Sequence, residues 1–379
     1  MRFSDFSAFS SASSAPLRWK YGTLPHGRDA VIIDKPFLNV FCAGLAAVAL
    51  ALAAGCATDG VGSSSRSPVP DTATVIKLMD TPLRDTSICL GPDDTYYMTG
   101  TIEPFWKYNE GIRLWKSRDL VHWEPLGMVW KYGESPWHKN YLEAKKPLWA
   151  PEIHYIKGTF WLTYSMPGWD GTPATSGCGL LRSATGKPEG PYVDVQPDER
   201  LGDEIDASLF EDTDGTVWFV WHSGKIAPMK PDMTGLAEPY TWLKTETADP
   251  APNHHSELCA KIFGPGSHHH VGYEGAFLFK RDGLYYLAAA EMIDGRYHCM
   301  VATSPTIKGP YSGRYIAVRD GGHVTFFQDT QGRWWSTFFG NNPPAPLIET
   351  PAIVAIEFDT DGALREIAAL TAPSRLAQP

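Results

Sequence analysis

Five acidic or imidazole side chains recur at comparable distances ahead of an aromatic pair. Asp85 precedes Tyr96-Tyr97, Glu274 precedes Tyr285-Tyr286 and His323 precedes Trp334-Trp335 by eleven residues each. Asp206 precedes Trp218-Phe219 by twelve, and Glu152 precedes Phe160-Trp161 by eight. Carboxyl groups at matching points of a repeated unit are the raw material of general acid–base chemistry, in which one group gives a proton while another takes one. Such chemistry requires these distant acids to be brought to one place.

The elements that would bring them there are short hairpins. Val271–Leu287 holds Glu274, an apolar run Ala276–Phe279, the turn dipeptide Asp282-Gly283 and an aromatic strand Tyr285-Tyr286-Leu287. Apolar runs flanking an Asp-Gly pair signal a β-hairpin. The cadence repeats around Asp93-Asp94, Lys157-Gly158, Asp214-Gly215 and Gln331-Gly332, giving five units about 50–70 residues apart. Helical periodicity is almost absent. An all-β radial repeat, a five-bladed β-propeller, is therefore expected. Equivalent positions of its blades meet at one end of a central channel, so three carboxylates and a histidine would share a funnel.

The chain has 379 residues, 43% hydrophobic and 12% aromatic, enough for a large core in one unit. Its net charge of −10 argues against nucleic acid as a partner. Residues 1–36 are polar and patternless, whereas Phe37–Gly55 is an uncharged apolar run after Lys35. This is the grammar of a secretory signal. Ala53-Ala54-Gly55-Cys56 resembles a bacterial lipobox, in which the cysteine becomes a lipidated N-terminus. The expected organisation is thus a leader over 1–56, a flexible Ser/Pro/Gly-rich linker over 57–74 and the propeller over 75–379. The length of the leader suggests a start codon downstream of Met1. Export as an outer-membrane lipoprotein or to the periplasm follows, with membrane attachment only through Cys56. Cys89, Cys178, Cys259 and Cys299 show no metal spacing and are expected to be buried free thiols.

Arg84-Asp85-Thr86-Ser87, Trp149-Ala150-Pro151-Glu152, Ile205-Asp206-Ala207-Ser208-Leu209-Phe210, Glu274-Gly275 and Gly322-His323 resemble, in order, the signature of glycoside hydrolase family 43. That resemblance implies a five-bladed propeller and a glycosidase acting on arabinofuranosyl, xylosyl or galactosyl units of polysaccharide-derived glycans. It implies an inverting mechanism with Asp85 as general base, Glu274 as general acid, and Asp206 tuning the acid. Inversion needs a protonated carboxyl at the leaving oxygen and an ionised one activating water, about 6.5–9.5 Å apart. A third acid near Glu274 would raise its pKa by like-charge repulsion. Arg84 beside Asp85 is expected to help keep the base ionised.

Further residues are assigned around this trio. Trp149 is a candidate floor for the sugar site or a core ring. Glu152 departs from the family, where aspartate follows Trp-Ala-Pro, and is read as a subsite or structural carboxylate. Adjacent histidines of His268-His269-His270 point in alternating directions, which disfavours a zinc site, and His270 is assigned to the sugar pocket. Arg296, after the Asp294-Gly295 turn, is expected to reach sugar hydroxyls. His323 resembles the family histidine that points down the channel towards a calcium or another ion. No cofactor is expected to be required; a structural calcium in the channel is what the resemblance allows. The segments Trp130–Lys146 and Gly235–Ser267 are expected to wall off the pocket and favour exo action. Two other readings stay open at this level: a carbohydrate-binding propeller without turnover, and a related propeller acting on fructosides or anhydrogalactosides.

Overall fold

The computed structural model describes residues 74–168, 175–247 and 269–367. The leader, nearly all of the linker, Cys259, His268 and much of Gly235–Ser267 lie outside the described residues. Among those described, the strands form five antiparallel sheets of four or five strands. Each is a blade, and together they make a five-bladed β-propeller, as the repeat predicts.

The innermost strands are Leu83–Leu90, Trp149–Ile156, Ser208–Glu211, Glu274–Arg281 and Phe326–Gln328. Each turns back into a second strand that carries the aromatic pair. Asp282-Gly283, with φ of 49° and 82°, forms the two-residue connection between Arg281 and Leu284, and Lys157-Gly158 does the same between Ile156 and Thr159. Two consecutive left-handed residues match the twist of the flanking strands.

The aromatic pairs explain why the repeat is written as it is. Successive residues of a strand face opposite sides of the sheet, so each pair sends one ring into each flanking interface. Tyr96 packs towards the fifth blade and Tyr97 towards the second. Phe160 faces the first blade and Trp161 the third. Tyr285 faces the third blade and Tyr286 the fifth. The core is accordingly five hydrophobic wedges between blades rather than one central mass.

The ring closes through the start of the domain. Val75–Lys77 pairs antiparallel with Ala352–Phe358 in the fifth blade, with Val75 opposite Val354. First and last segments of the domain therefore share one sheet. Cys178 and Cys299 are buried free thiols and Cys89 is a half-buried one. No helix among the described residues is long and apolar enough to cross a membrane.

Candidate active site

The channel end where the innermost strands begin is shaped by repeated bulges. The ladder slips between Arg84 and Ser87, between Trp149 and Glu152, and between Glu274 and Phe277. Each bulge contains one residue in the left-handed region: Asp85 at φ 50°, Ala150 at 43° and Gly275 at 68°. In the third blade Asp206 takes this place with φ 63°, and the His222 N–H donates to the carbonyl of Ile205 just before it. A bulge re-aims the side chain it carries, and aspartate tolerates this backbone better than most residues.

The amides of three of these residues bind the neighbouring blade. Ala150 N–H donates to Thr101 Oγ1 and Asp206 N–H donates to Ser165 Oγ, both at 2.7 Å. Gly275 N–H donates to Asp206 Oδ2 at 3.0 Å. The Thr101 hydroxyl in turn donates a hydrogen bond to Asp85 Oδ2 at 2.7 Å. The acids are thus positioned by the same contacts that join the blades.

Register corrects the equal spacing read from the sequence. Glu274 lies on the rung that carries Arg84 and Trp149, paired with Ala290, Thr101 and Ser165 respectively, one residue ahead of the bulge. Asp85 and Asp206 are bulge residues. The equal offset of Asp85 and Glu274 from their aromatic pairs arises because the hairpin tips differ: Gly91–Thr95 in the first blade against Asp282-Gly283 in the fourth.

Despite that difference the three carboxyls line one cavity of about 190 Å³. Arg84, Trp149 and His323 share its wall, with Thr101, Phe105, Trp106, Ile205 and Tyr297. The Arg84 guanidinium is held by Glu349 Oε1 at 2.8 Å and Asn341 Oδ1 at 2.6 Å, and lies over the Phe339 ring at 4.9 Å. Its ion pair is therefore with Glu349 rather than with its neighbour Asp85. Trp149 donates its indole N–H to the Phe105 carbonyl and meets the Trp106 ring edge-on at 5.4 Å. Trp106 is 61% exposed, the largest apolar face at this rim.

His323 stands behind the acids with its two nitrogens facing opposite ways. Nδ1 lies 3.7 Å from Asp85 Oδ1 and 3.8 Å from Asp206 Oδ2, while Nε2 lies 3.9 Å from Glu152 Oε1. Burial opposes a charge on this ring, yet Asp206, Glu152 and Asp85 together raise its pKa to about 10. The three carboxyls around the ring thus favour its protonated form. Gly275 is required here, since a Cβ on it would come within 2.9 Å of the His323 ring.

Burial raises the pKa of Asp206 to about 7, with Glu274 and Asp85 adding to the rise and His323 countering it. Burial also raises Glu274, against the hydrogen bond from Tyr297. Two neighbouring acids that are both raised from their ordinary values titrate as a pair, so a proton stays on the pair to higher pH than on a free acid.

Other assignments move. Glu152 is 2% exposed and faces His323 on one side and His154 Nε2, at 3.1 Å, on the other. Of the two roles expected for it, the geometry selects the structural carboxylate. Burial opposes its ionisation, but the two histidines hold its pKa below the usual value. His270 does not line the cavity. The Thr245 N–H donates to the His269 carbonyl and runs this stretch beside the outer part of the third blade, where His270 packs edge-on against Trp242 at 4.8 Å. Arg296 also misses the cavity, because its guanidinium is clamped by the buried Asp320 carboxylate. The next residue, Tyr297, points the other way and donates to Glu274 Oε1 at 2.6 Å. Tyr297, Phe105 and Trp106 are site residues that the sequence reading missed; strand alternation after Asp294-Gly295 is the signal that would have found Tyr297.

The calcium expected at His323 does not fit this donor set. Calcium takes six to eight oxygen ligands, whereas the donor offered at this point is an imidazole ring. Among the described residues, no cluster of three or more His, Cys, Asp or Glu side chains is arranged to hold a metal ion.

Comparison with known proteins agrees with the geometry. A putative beta-xylosidase of Escherichia coli (strain K12) is 28% identical over 281 residues, which cover 68% of this chain and 48% of that protein. An extracellular exo-alpha-(1->5)-L-arabinofuranosidase of Cellvibrio japonicus is 26% identical over 238 residues, covering 58% of this chain and 63% of that protein. The chain thus spans about half to two thirds of the length of these relatives. A thermostable family-43 glycoside hydrolase shares the fold with a TM-score of 0.58 at 20% identity, covering 80% of this chain and 97% of that one. The model of glycosyl hydrolases family 43 matches residues 78–364, and the chain belongs to that family.

Proposed function

We propose that this protein is an inverting glycoside hydrolase that removes terminal arabinofuranosyl, xylosyl or galactosyl units from polysaccharide-derived glycans. One observation carries the reading: carboxyls from the first, third and fourth blades line one small cavity, where burial raises Asp206 and Glu274 from their ordinary values. Glu274 is the general acid that protonates the leaving oxygen. Asp85 is the general base, fixed by the Thr101 hydroxyl so that it can take a proton from water attacking the opposite face of the sugar. Asp206 holds the Gly275 amide and keeps the proton on the acid pair. His323 balances the clustered negative charge without entering the reaction. Trp106 and Trp149 offer flat faces for a sugar ring.

The compact cavity supports exo action on a chain end. The net charge of −10 argues against a nucleic-acid partner, and the lipobox-like Cys56 supports export with a lipid anchor. The relatives named as a beta-xylosidase and an exo-arabinofuranosidase support the pentose range of substrates. The test is a panel of arabinan, xylan and galactan oligosaccharides with NMR of the first-formed anomer. Release of single sugars with inverted configuration is expected. Retained configuration would overturn the mechanism, and binding without any release would point to a carbohydrate-binding propeller.

A further inference from the structure

The strand Arg296–Ser304 begins with two residues of opposite direction, and the second of them reaches the site. Tyr297 is 5% exposed, and its hydroxyl donates to Glu274 Oε1 at 2.6 Å. Its ring is held in place from both sides. On one side lies Gly322, with φ 60°, where a Cβ would come within 1.9 Å of the Tyr297 ring. On the other, Tyr297 clusters with Ala290 and Phe339, and Phe339 is the ring over which the Arg84 guanidinium lies. The Gly322-His323 pair thus does two jobs: the glycine makes room for Tyr297, and the histidine neutralises the acids.

We infer that Tyr297 is a positioning residue that fixes which oxygen of Glu274 carries the transferable proton. The inference rests on Glu274 being the general acid. A phenol donating to Oε1 occupies that oxygen as an acceptor, so the carboxyl proton belongs on Oε2, the oxygen left for the cavity. The phenol is a dependable donor, because burial and the neighbouring Glu274 push its own pKa well up. The charged and titratable groups around Glu274 are Arg84 and Asp85 from the first blade, Asp206 from the third and His323 from the fifth. Tyr273 lies beside Tyr297, with ring centroids 6.4 Å apart. Of the two cations, Arg84 donates to Glu349 and Asn341, and His323 faces Asp85, Asp206 and Glu152, so neither occupies Oε1.

Tyr297→Phe tests the inference, since it removes one hydroxyl and preserves the ring that Gly322 accommodates. A donated hydrogen bond favours the ionised carboxyl, so its loss raises the Glu274 pKa further. Two outcomes are expected with the full chain. The alkaline limb of the pH profile for para-nitrophenyl arabinofuranoside or xyloside moves to higher pH, and kcat falls by about tenfold with KM little changed. Independently of turnover, NMR of isotope-labelled glutamate carboxyls, with the Glu274 signal assigned by its absence in Glu274→Gln, shows that signal titrating at higher pH in Tyr297→Phe. An unmoved Glu274 titration overturns the inference even if activity falls. If Glu274→Gln keeps full activity, the acid assignment itself is wrong, a failure separate from that of Tyr297.

Discussion

The Gly275 amide donates to Asp206 Oδ2 at 3.0 Å, so the residue that follows Glu274 is tied directly to the acid of the preceding blade. This contact joins two blades beside two carboxyls that line one cavity. Asp206→Asn keeps an acceptor for that amide and removes only the charge. With the like charge gone, Glu274 loses its proton at lower pH. The alkaline limb of kcat/KM is expected to move down, and activity at neutral pH to fall by about ten- to a hundredfold. An unmoved limb with unchanged activity would show that Asp206 only holds the backbone.

His323 makes a prediction about stability. Its folded pKa, raised to about 10 by Asp206, Glu152 and Asp85 against the effect of burial, lies above the unfolded value of about 6.5. A group whose pKa is raised on folding stabilises fully below the unfolded value and loses that contribution as pH rises through the folded one. Asp206, raised to about 7, acts in the same direction over a lower window. Urea denaturation should therefore show unfolding free energy declining from about pH 6.5 to 10. In His323→Gln the decline above about pH 7 should disappear. An identical decline in both proteins would place its origin elsewhere.

The wedge-shaped core separates packing from recognition among the tryptophans. Trp335 is fully buried between the fifth and first blades. Trp335→Ala is expected to cost about 3–5 kcal/mol in equilibrium denaturation. Trp106 is 61% exposed at the cavity rim. Trp106→Ala should leave stability within about 0.5 kcal/mol while raising KM. The reverse pattern would contradict the assignment of the two rings.

The fold was legible in the sequence because the aromatic pairs and the turn dipeptides are local signals, and each blade repeats them. That Asp85, Asp206 and Glu274 line one cavity was legible for the same reason, through their place ahead of the pairs. What stayed hidden depends on register and on distant partners. Counting residues to the pair does not see that hairpin tips differ in length, so Glu274 was placed level with Asp85 when it shares a rung with Arg84 and Trp149. A one-residue change of direction separates Arg296, clamped by Asp320, from Tyr297, bound to Glu274. The partners of Arg84, Asn341 and Glu349, lie some 260 residues further along the chain, and nothing local announces them. His270 was misplaced because proximity in sequence to Glu274 does not reveal that the loop ahead of that strand runs along the outer part of the third blade.

The claim on which the whole account depends is that Glu274 delivers a proton to the leaving oxygen. A dinitrophenol leaves as a stable anion and needs no such proton, whereas a sugar hydroxyl does. The most direct measurement compares wild type and Glu274→Gln on matched pairs of dinitrophenyl glycoside and unactivated oligosaccharide. The account predicts that the variant loses about 10²–10⁴-fold on the oligosaccharide and stays within about tenfold of wild type on the dinitrophenyl substrate. An equal loss on both substrates, or no loss on either, would contradict it.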